Sequence, residues 1–151
     1  LRDSEFENGN WQGDWELYST DEKEVDIANG SAVADLKSVG TDPWSAQLKQ
    51  ENIAFEAGAK YILKMTVNAE VSRIINVQFN TSTDGYIAGT DIELAEGDNV
   101  IEQEITVGAD QETVEDGVFK INLGKINDQD TPAGKLEFYN VTLMKVNNEE
   151  N

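Results

Sequence analysis

Lys60-Tyr61-Ile62-Leu63-Lys64-Met65-Thr66-Val67-Asn68-Ala69 decides the fold. Tyr61, Leu63, Met65, Val67 and Ala69 share one parity, and Lys60, Ile62, Lys64, Thr66 and Asn68 the other. Apolar and polar residues alternating with a period of two make a half-buried strand, since successive side chains of an extended chain point to opposite faces. The same period recurs outward from this stretch. Ile75, Val77 and Phe79 alternate with Ile74, Asn76, Gln78 and Asn80, and Ile101, Gln103, Ile105 and Val107 with Glu102, Glu104 and Thr106. Phe119, Ile121 and Leu123 alternate with Val118, Lys120 and Asn122, and Tyr139, Val141 and Leu143 with Phe138, Asn140 and Thr142. Shorter strand candidates are Trp15–Tyr18, Ser31–Val39, Trp44–Gln50, Ile53–Phe55 and Thr90–Leu94.

The punctuation agrees. Asn8-Gly9, Asn29-Gly30, Asp84-Gly85, Glu96-Gly97-Asp98 and Asp116-Gly117 fall between candidates and supply residues that tolerate positive φ. Both prolines, Pro43 and Pro132, lie outside the periodic runs. No segment carries a helical stripe. About ten short strands at regular spacing predict an all-β, two-sheet antiparallel β-sandwich of jelly-roll type. One domain over residues 1–146 and a polar tail at 147–151 complete the organisation. Leu63, Met65, Val67, Ile75, Val77, Phe79, Ile105, Phe119, Ile121 and Leu143 are expected between the sheets, with Trp15 and Tyr139 as further core aromatics.

Composition narrows the function. The 151 residues carry 30 Asp plus Glu against 11 Lys plus Arg, a net charge of −19, with no His and no Cys. So acidic a chain is repelled by phosphate backbones, which argues against nucleic-acid partners. No apolar run approaches the roughly 20 residues that span a bilayer, so membrane insertion is not expected. Absence of Cys excludes disulfides and zinc–sulfur sites. Absence of His removes the usual general base and the Ser-His triads. The start at Leu1-Arg2-Asp3, without a basic-then-apolar leader, reads as a mature chain or a piece of a longer one.

The polar faces point to a ligand. Asn76, Gln78 and Asn80 follow one another on one strand, Asn122 sits similarly on a second, and Gln47 on a third. Neutral amides both donate and accept, which matches the hydroxyls of an uncharged sugar. Their spacing of about 6.6 Å approximates a pyranose repeat. Trp44, Tyr18 and Tyr86 are candidate stacking platforms, because sugar C–H faces pack on rings while amides take the hydroxyls. Glycosidases need two carboxylates about 5–10 Å apart in a cleft. The expected groove carries amides instead, so no enzyme is expected, and Glu102 and Glu104 read as a solvated face.

The residues also resemble a known family. Ser4-Glu5-Phe6-Glu7-Asn8-Gly9, Gly13-Asp14-Trp15 and Asn29-Gly30-Ser31-Ala32 are similar to the opening of carbohydrate-binding modules of families 4, 16 and 22. Asp42-Pro43-Trp44-Ser45-Ala46-Gln47-Leu48, Glu56-Ala57-Gly58-Ala59-Lys60-Tyr61 and Phe119-Lys120-Ile121-Asn122-Leu123-Gly124 resemble later motifs of the family. So does the closing Leu136-Glu137-Phe138-Tyr139-Asn140-Val141-Thr142-Leu143. The resemblance implies a jelly roll that binds polysaccharide (β-glucan, xylan or glucomannan) in a groove on its concave sheet. It also implies attachment to an extracellular glycoside hydrolase within a larger modular protein. Trp44, Gln47, Arg73 and Asn122 match the family's groove residues. A structural Ca²⁺ is implied through Glu7 and Asn140, with Asp26 as a third ligand and the Asp128/Asp130 loop as another location. Asn140 stands where the family has Asp, which removes one ligand charge. A calcium-dependent adhesion or interaction domain is the alternative reading. The net charge disfavours uronate-rich chains as ligands.

Overall fold

The computed structural model describes residues 2, 5–7, 14–19, 25–28, 30–37, 40, 42–126 and 132–146. The Asn8-Gly9 turn, the Asp128/Asp130 loop and the tail at 147–151 lie outside them. Ten strands run in order: β1 Trp15–Ser19, β2 Val25–Ala28, β3 Ser31–Leu36, β4 Ala46–Phe55, β5 Lys60–Ala69, β6 Arg73–Asn80, β7 Tyr86–Leu94, β8 Gly97–Thr106, β9 Val114–Asn122 and β10 Gly134–Lys145. They form two five-stranded antiparallel sheets, β1-β4-β9-β6-β7 and β2-β3-β10-β5-β8. A single 3-10 turn, Pro43–Ser45, is the only helical element among the described residues. The fold is therefore the expected β-sandwich.

The period-two face of each strand becomes the filling between the sheets. Leu63, Val67, Ile75, Val77, Phe79, Phe119 and Ile121 are fully buried, and Met65 and Ile105 nearly so. Aromatic rings knit the two layers. Phe55 stacks on Phe79 with centroids 4.3 Å apart, and Tyr61 meets Phe79 edge-on at 5.5 Å. Trp15 joins Phe6 at 5.2 Å and Phe119 at 6.2 Å. Such tilted and offset pairs suit the ring quadrupole. Glu102 and Glu104 lie on the outer face of β8, where they pair with Lys64 and Lys60 of β5.

Several boundaries differ from the sequence expectation: Asp116-Gly117, expected as a turn, lies inside β9, β7 begins at Tyr86 rather than Thr90, and β2 was not expected. Trp44 belongs to the 3-10 turn rather than to a strand, because Pro43 fixes the approach and Ser45 N donates to Asp42 O at 3.1 Å. The two short runs around Gln50 and Ile53 are one strand, β4, whose register shifts around Asn52, a residue at φ 61°. On β10 the core parity switches. Leu136 and Phe138 are buried while Tyr139 is only half-buried, which corrects its assignment to the core. Between Tyr139 and Thr142, β10 advances three residues while β5 advances two, from Thr66 to Lys64. Asn140, at φ 51°, lies in this bulge, so odd residues face inward only beyond it. Val141 is then buried and Leu143 partly so.

Candidate functional site

Antiparallel register assembles the site on the outer face of β1-β4-β9-β6-β7. Pairing places Tyr18 opposite Gln47, Gln47 opposite Asn122, Asn122 opposite Asn76, and Asn76 opposite Asp91, a row that crosses all five strands. Two residues along each strand lies a parallel row, Glu16, Lys49, Lys120, Gln78 and Gly89. These side chains face outward because their neighbours Leu17, Leu48, Val77 and Ile121 fill the core.

The first row is a continuous hydrogen-bonded chain. Gln47 Nε2 donates to Asn122 Oδ1 at 2.8 Å, Asn122 Nδ2 to Asn76 Oδ1 at 2.9 Å, and Asn76 Nδ2 to Asp91 Oδ1 at 2.8 Å. An ionised carboxylate only accepts, so Asp91 fixes the direction of every amide behind it. Asn122, 3% exposed, is locked between two partners. In the second row Lys49 Nζ lies 3.7 Å from Glu16 and Lys120 Nζ 2.7 Å from Asp84. Partial burial raises the Glu16 carboxyl above its ordinary value against the opposing pull of Lys49. The hydrogen bond and charge of Lys120 hold Asp84 below its own.

A cleft of about 840 Å³ opens over these rows, within the range of small-molecule and cofactor sites. Its floor is Gln47, Lys49, Lys120, Asn122 and Gln78. Tyr18 and the Asp42–Ser45 segment bound it, as do Asn80 and Asp84. Trp44 is 60% exposed and Tyr18 is also exposed, so both rings are available to a ligand. The Trp44 turn is held from below. Gly124 N donates to Pro43 O at 2.9 Å, Leu123 N to Ala46 O at 2.8 Å and Lys125 N to Asp42 O at 3.2 Å. A Cβ on Gly124 would run into the carbonyl oxygens of Asp42 and Pro43, so only glycine admits this approach. Asn80, 4% exposed, donates through Nδ2 to Gly85 O, while its buried Oδ1 has no partner in the structure.

Of the residues expected to bind, Trp44, Gln47, Tyr18, Gln78, Asn80 and Asn122 therefore line one cleft. Asn76 stands outside its lining and accepts a hydrogen bond from Asn122. Tyr86 is exposed at the start of β7, also outside the lining. Arg73 is corrected: it takes the core parity of β6 and is 5% exposed. Its Nη2 donates to Leu123 O at 2.7 Å and Gly124 O at 3.2 Å, and desolvation lowers its pKa to about 10. Arg73 thus braces the segment beneath Trp44 instead of facing the cleft. Lys49, Lys120 and Asp84 went unnoticed in the sequence, although Lys49 and Lys120 share the parity of Gln47 and Asn122.

The expected calcium ligands supply two carboxylates and an amide. Glu7 and Asp26 are exposed, and Asn140 sits exposed in the β10 bulge. Among the described residues no three His, Cys, Asp or Glu gather where they would hold a metal ion. Ca²⁺ takes six to eight oxygens, so two carboxylates and an amide fall short of its needs. No described helix is long and apolar enough to cross a membrane.

The comparisons agree with this architecture. A solved structure titled "CBM4 structure and function" superposes with a TM-score of 0.77 at 19% identity, covering 97% of this chain and 99% of that one. The second N-terminal cellulose-binding domain of Cellulomonas fimi β-1,4-glucanase C gives 0.67 at 22% identity, with 89% and 87% covered. A structure titled TmCBM61 in complex with β-1,4-galactotriose gives 0.59 at 15% identity, with 97% of both chains covered. At these identities the likeness is one of fold. No curated protein matches the sequence. The CBM_4_9 family model, described as a carbohydrate binding domain, matches residues 1–132. The chain belongs to this family of carbohydrate-binding domains.

Proposed function

We propose that the cleft on sheet β1-β4-β9-β6-β7 binds a polysaccharide chain without cleaving it. β-Glucan, xylan and glucomannan are the candidate backbones, and the role is to hold an attached, secreted glycoside hydrolase on its substrate. The observation that carries this reading is the amide row with the exposed Trp44 ring beside it. Sugar rings stack on Trp44 and Tyr18. Their hydroxyls meet the spare N–H groups of Gln47 and Asn122 and the amide of Gln78. The family is generally non-catalytic. The carboxyl of Asp84, held below its ordinary value by Lys120, is a poor general acid near neutral pH.

Affinity electrophoresis through gels containing β-glucan, xylan, glucomannan or cellulose derivatives tests the proposal. Retardation by at least one polymer is expected. Trp44→Ala should weaken it by about 10- to 150-fold, the usual worth of an aromatic anchor. A folded Trp44→Ala protein with unchanged affinity contradicts the site, and release of reducing sugar contradicts the non-catalytic role. A structural calcium at Glu7, Asp26 and Asn140 is a separate proposal that needs further oxygen donors. It predicts a lower melting temperature in EDTA, and an unchanged value removes it.

A further inference from the structure

Lys49 on β4 stands directly opposite Lys120 on β9, and both lie on the cleft floor. Like charges directly opposite on neighbouring strands destabilise a sheet. This pair is kept in a chain of 11 basic against 30 acidic residues. Each ammonium has three donors, and the carboxylates of Glu16 and Asp84 occupy only part of that capacity. The adjoining amide row leans the same way. Because Asp91 fixes its direction, Asn122 spends its oxygen inside the row and offers outward a second N–H, as does Gln47. The floor therefore carries the N–H donors of Asn122 and Gln47 and two ammonium groups, beside acceptor oxygens on Gln47, Gln78 and Asp84. An anionic substituent accepts from the two ammonium groups more strongly than a neutral sugar hydroxyl does.

We propose that the cleft prefers polysaccharides bearing an anionic substituent, carboxylate or sulfate, seated over the Lys49–Lys120 pair. This rests on the glycan-binding reading of the same cleft. The net charge of −19 does not oppose it at contact range, because exposed charges beyond about 8 Å are largely screened at physiological salt. Charge-assisted hydrogen bonds formed over the floor are not screened to the same degree.

The test compares polymers that share a backbone and differ in substituent charge. Affinity electrophoresis is run with hydroxyethyl-cellulose against carboxymethyl-cellulose and cellulose sulfate, and with neutral arabinoxylan against glucuronoxylan. In at least one set an anionic polymer should bind about tenfold or more tighter than its neutral partner at low salt, with the ratio shrinking at high salt. Carboxymethyl-cellulose against cellulose sulfate then separates the two substituents. Lys49→Gln and Lys120→Gln should collapse the anionic-to-neutral ratio towards one, whereas Lys64→Gln, on the opposite sheet, should keep it. Neutral polymers bound as tightly as anionic ones overturn the inference and leave the glycan-binding reading standing. No retention on any of the polymers overturns both. Should a lysine variant fail to fold, the salt dependence of the wild-type ratio still decides: a ratio that salt does not change contradicts seating over the lysines.

Discussion

Replacing Asn122 by Asp tests whether the amide row is one directional unit. The substitution barely changes shape, but the new carboxylate cannot donate. Gln47 Nε2 can still donate to position 122, whereas Asn76 now presents its Oδ1 to a second acceptor. If Asn76 turns to donate, its oxygen faces Asp91, which at present accepts from Asn76 Nδ2 at 2.8 Å. Either way one hydrogen bond is lost and two oxygens face each other, at the part-buried Asn122–Asn76 contact in the first arrangement and at the exposed Asp91 in the second. We expect a stability loss of about 1–2 kcal/mol, a lost bond of about 1 kcal/mol plus the repulsion of facing oxygens that water partly relieves. Asp91→Asn supplies the missing donor: Asn76 can then turn and be satisfied on both sides. In urea-unfolding double-mutant cycles, Asn122→Asp with Asp91→Asn should recover about 1–2 kcal/mol relative to the sum of the singles. The single Asp91→Asn controls for the general benefit of removing a negative charge. Strict additivity of the two changes would refute the directional row and with it the argument that the floor presents donors.

Two further outcomes follow from neighbouring features. Gly124→Ala should weaken glycan binding and lower the melting temperature together, because the added methyl displaces the Asp42 and Pro43 carbonyls that hold the Trp44 turn; calorimetric titration and thermal unfolding check both. Asp84 has a folded pKa below its ordinary value, so the Asp84–Lys120 attraction stabilises above that ordinary value and is lost as pH falls through the lowered one. Asp84→Asn should therefore flatten the acid limb of melting temperature against pH, and an unchanged acid limb would contradict the pairing.

The sandwich was legible wherever alternation ran unbroken, on β5, β6 and β9, since one buried face imposes a period of two on the sequence. On β10 it was not. A bulge at Asn140 inserts one residue, and no local feature separates Tyr139 from Phe138 as the inward ring. β2 escaped notice because four residues carry too little pattern. The site was partly legible: Trp44 follows a proline that presets its turn, and the amides announce themselves by type. Arg73 was assigned to the groove by the family resemblance alone, whereas here the carbonyls of Leu123 and Gly124 receive its guanidinium. Nothing local in the sequence marks Lys49 and Lys120. Only the β4–β9 register, which joins residues 71 apart in the chain, makes them a pair.

The central claim is that a glycan lies on the face of β1-β4-β9-β6-β7, and side-chain NMR under oligosaccharide titration tests it most directly. The account predicts shifts of the Gln47, Gln78 and Asn122 amide groups and of the Trp44 indole, with Asn68 and Gln103 of the opposite sheet unmoved. Shifts centred on Asn68 and Gln103, with the Trp44 indole unchanged, would contradict it.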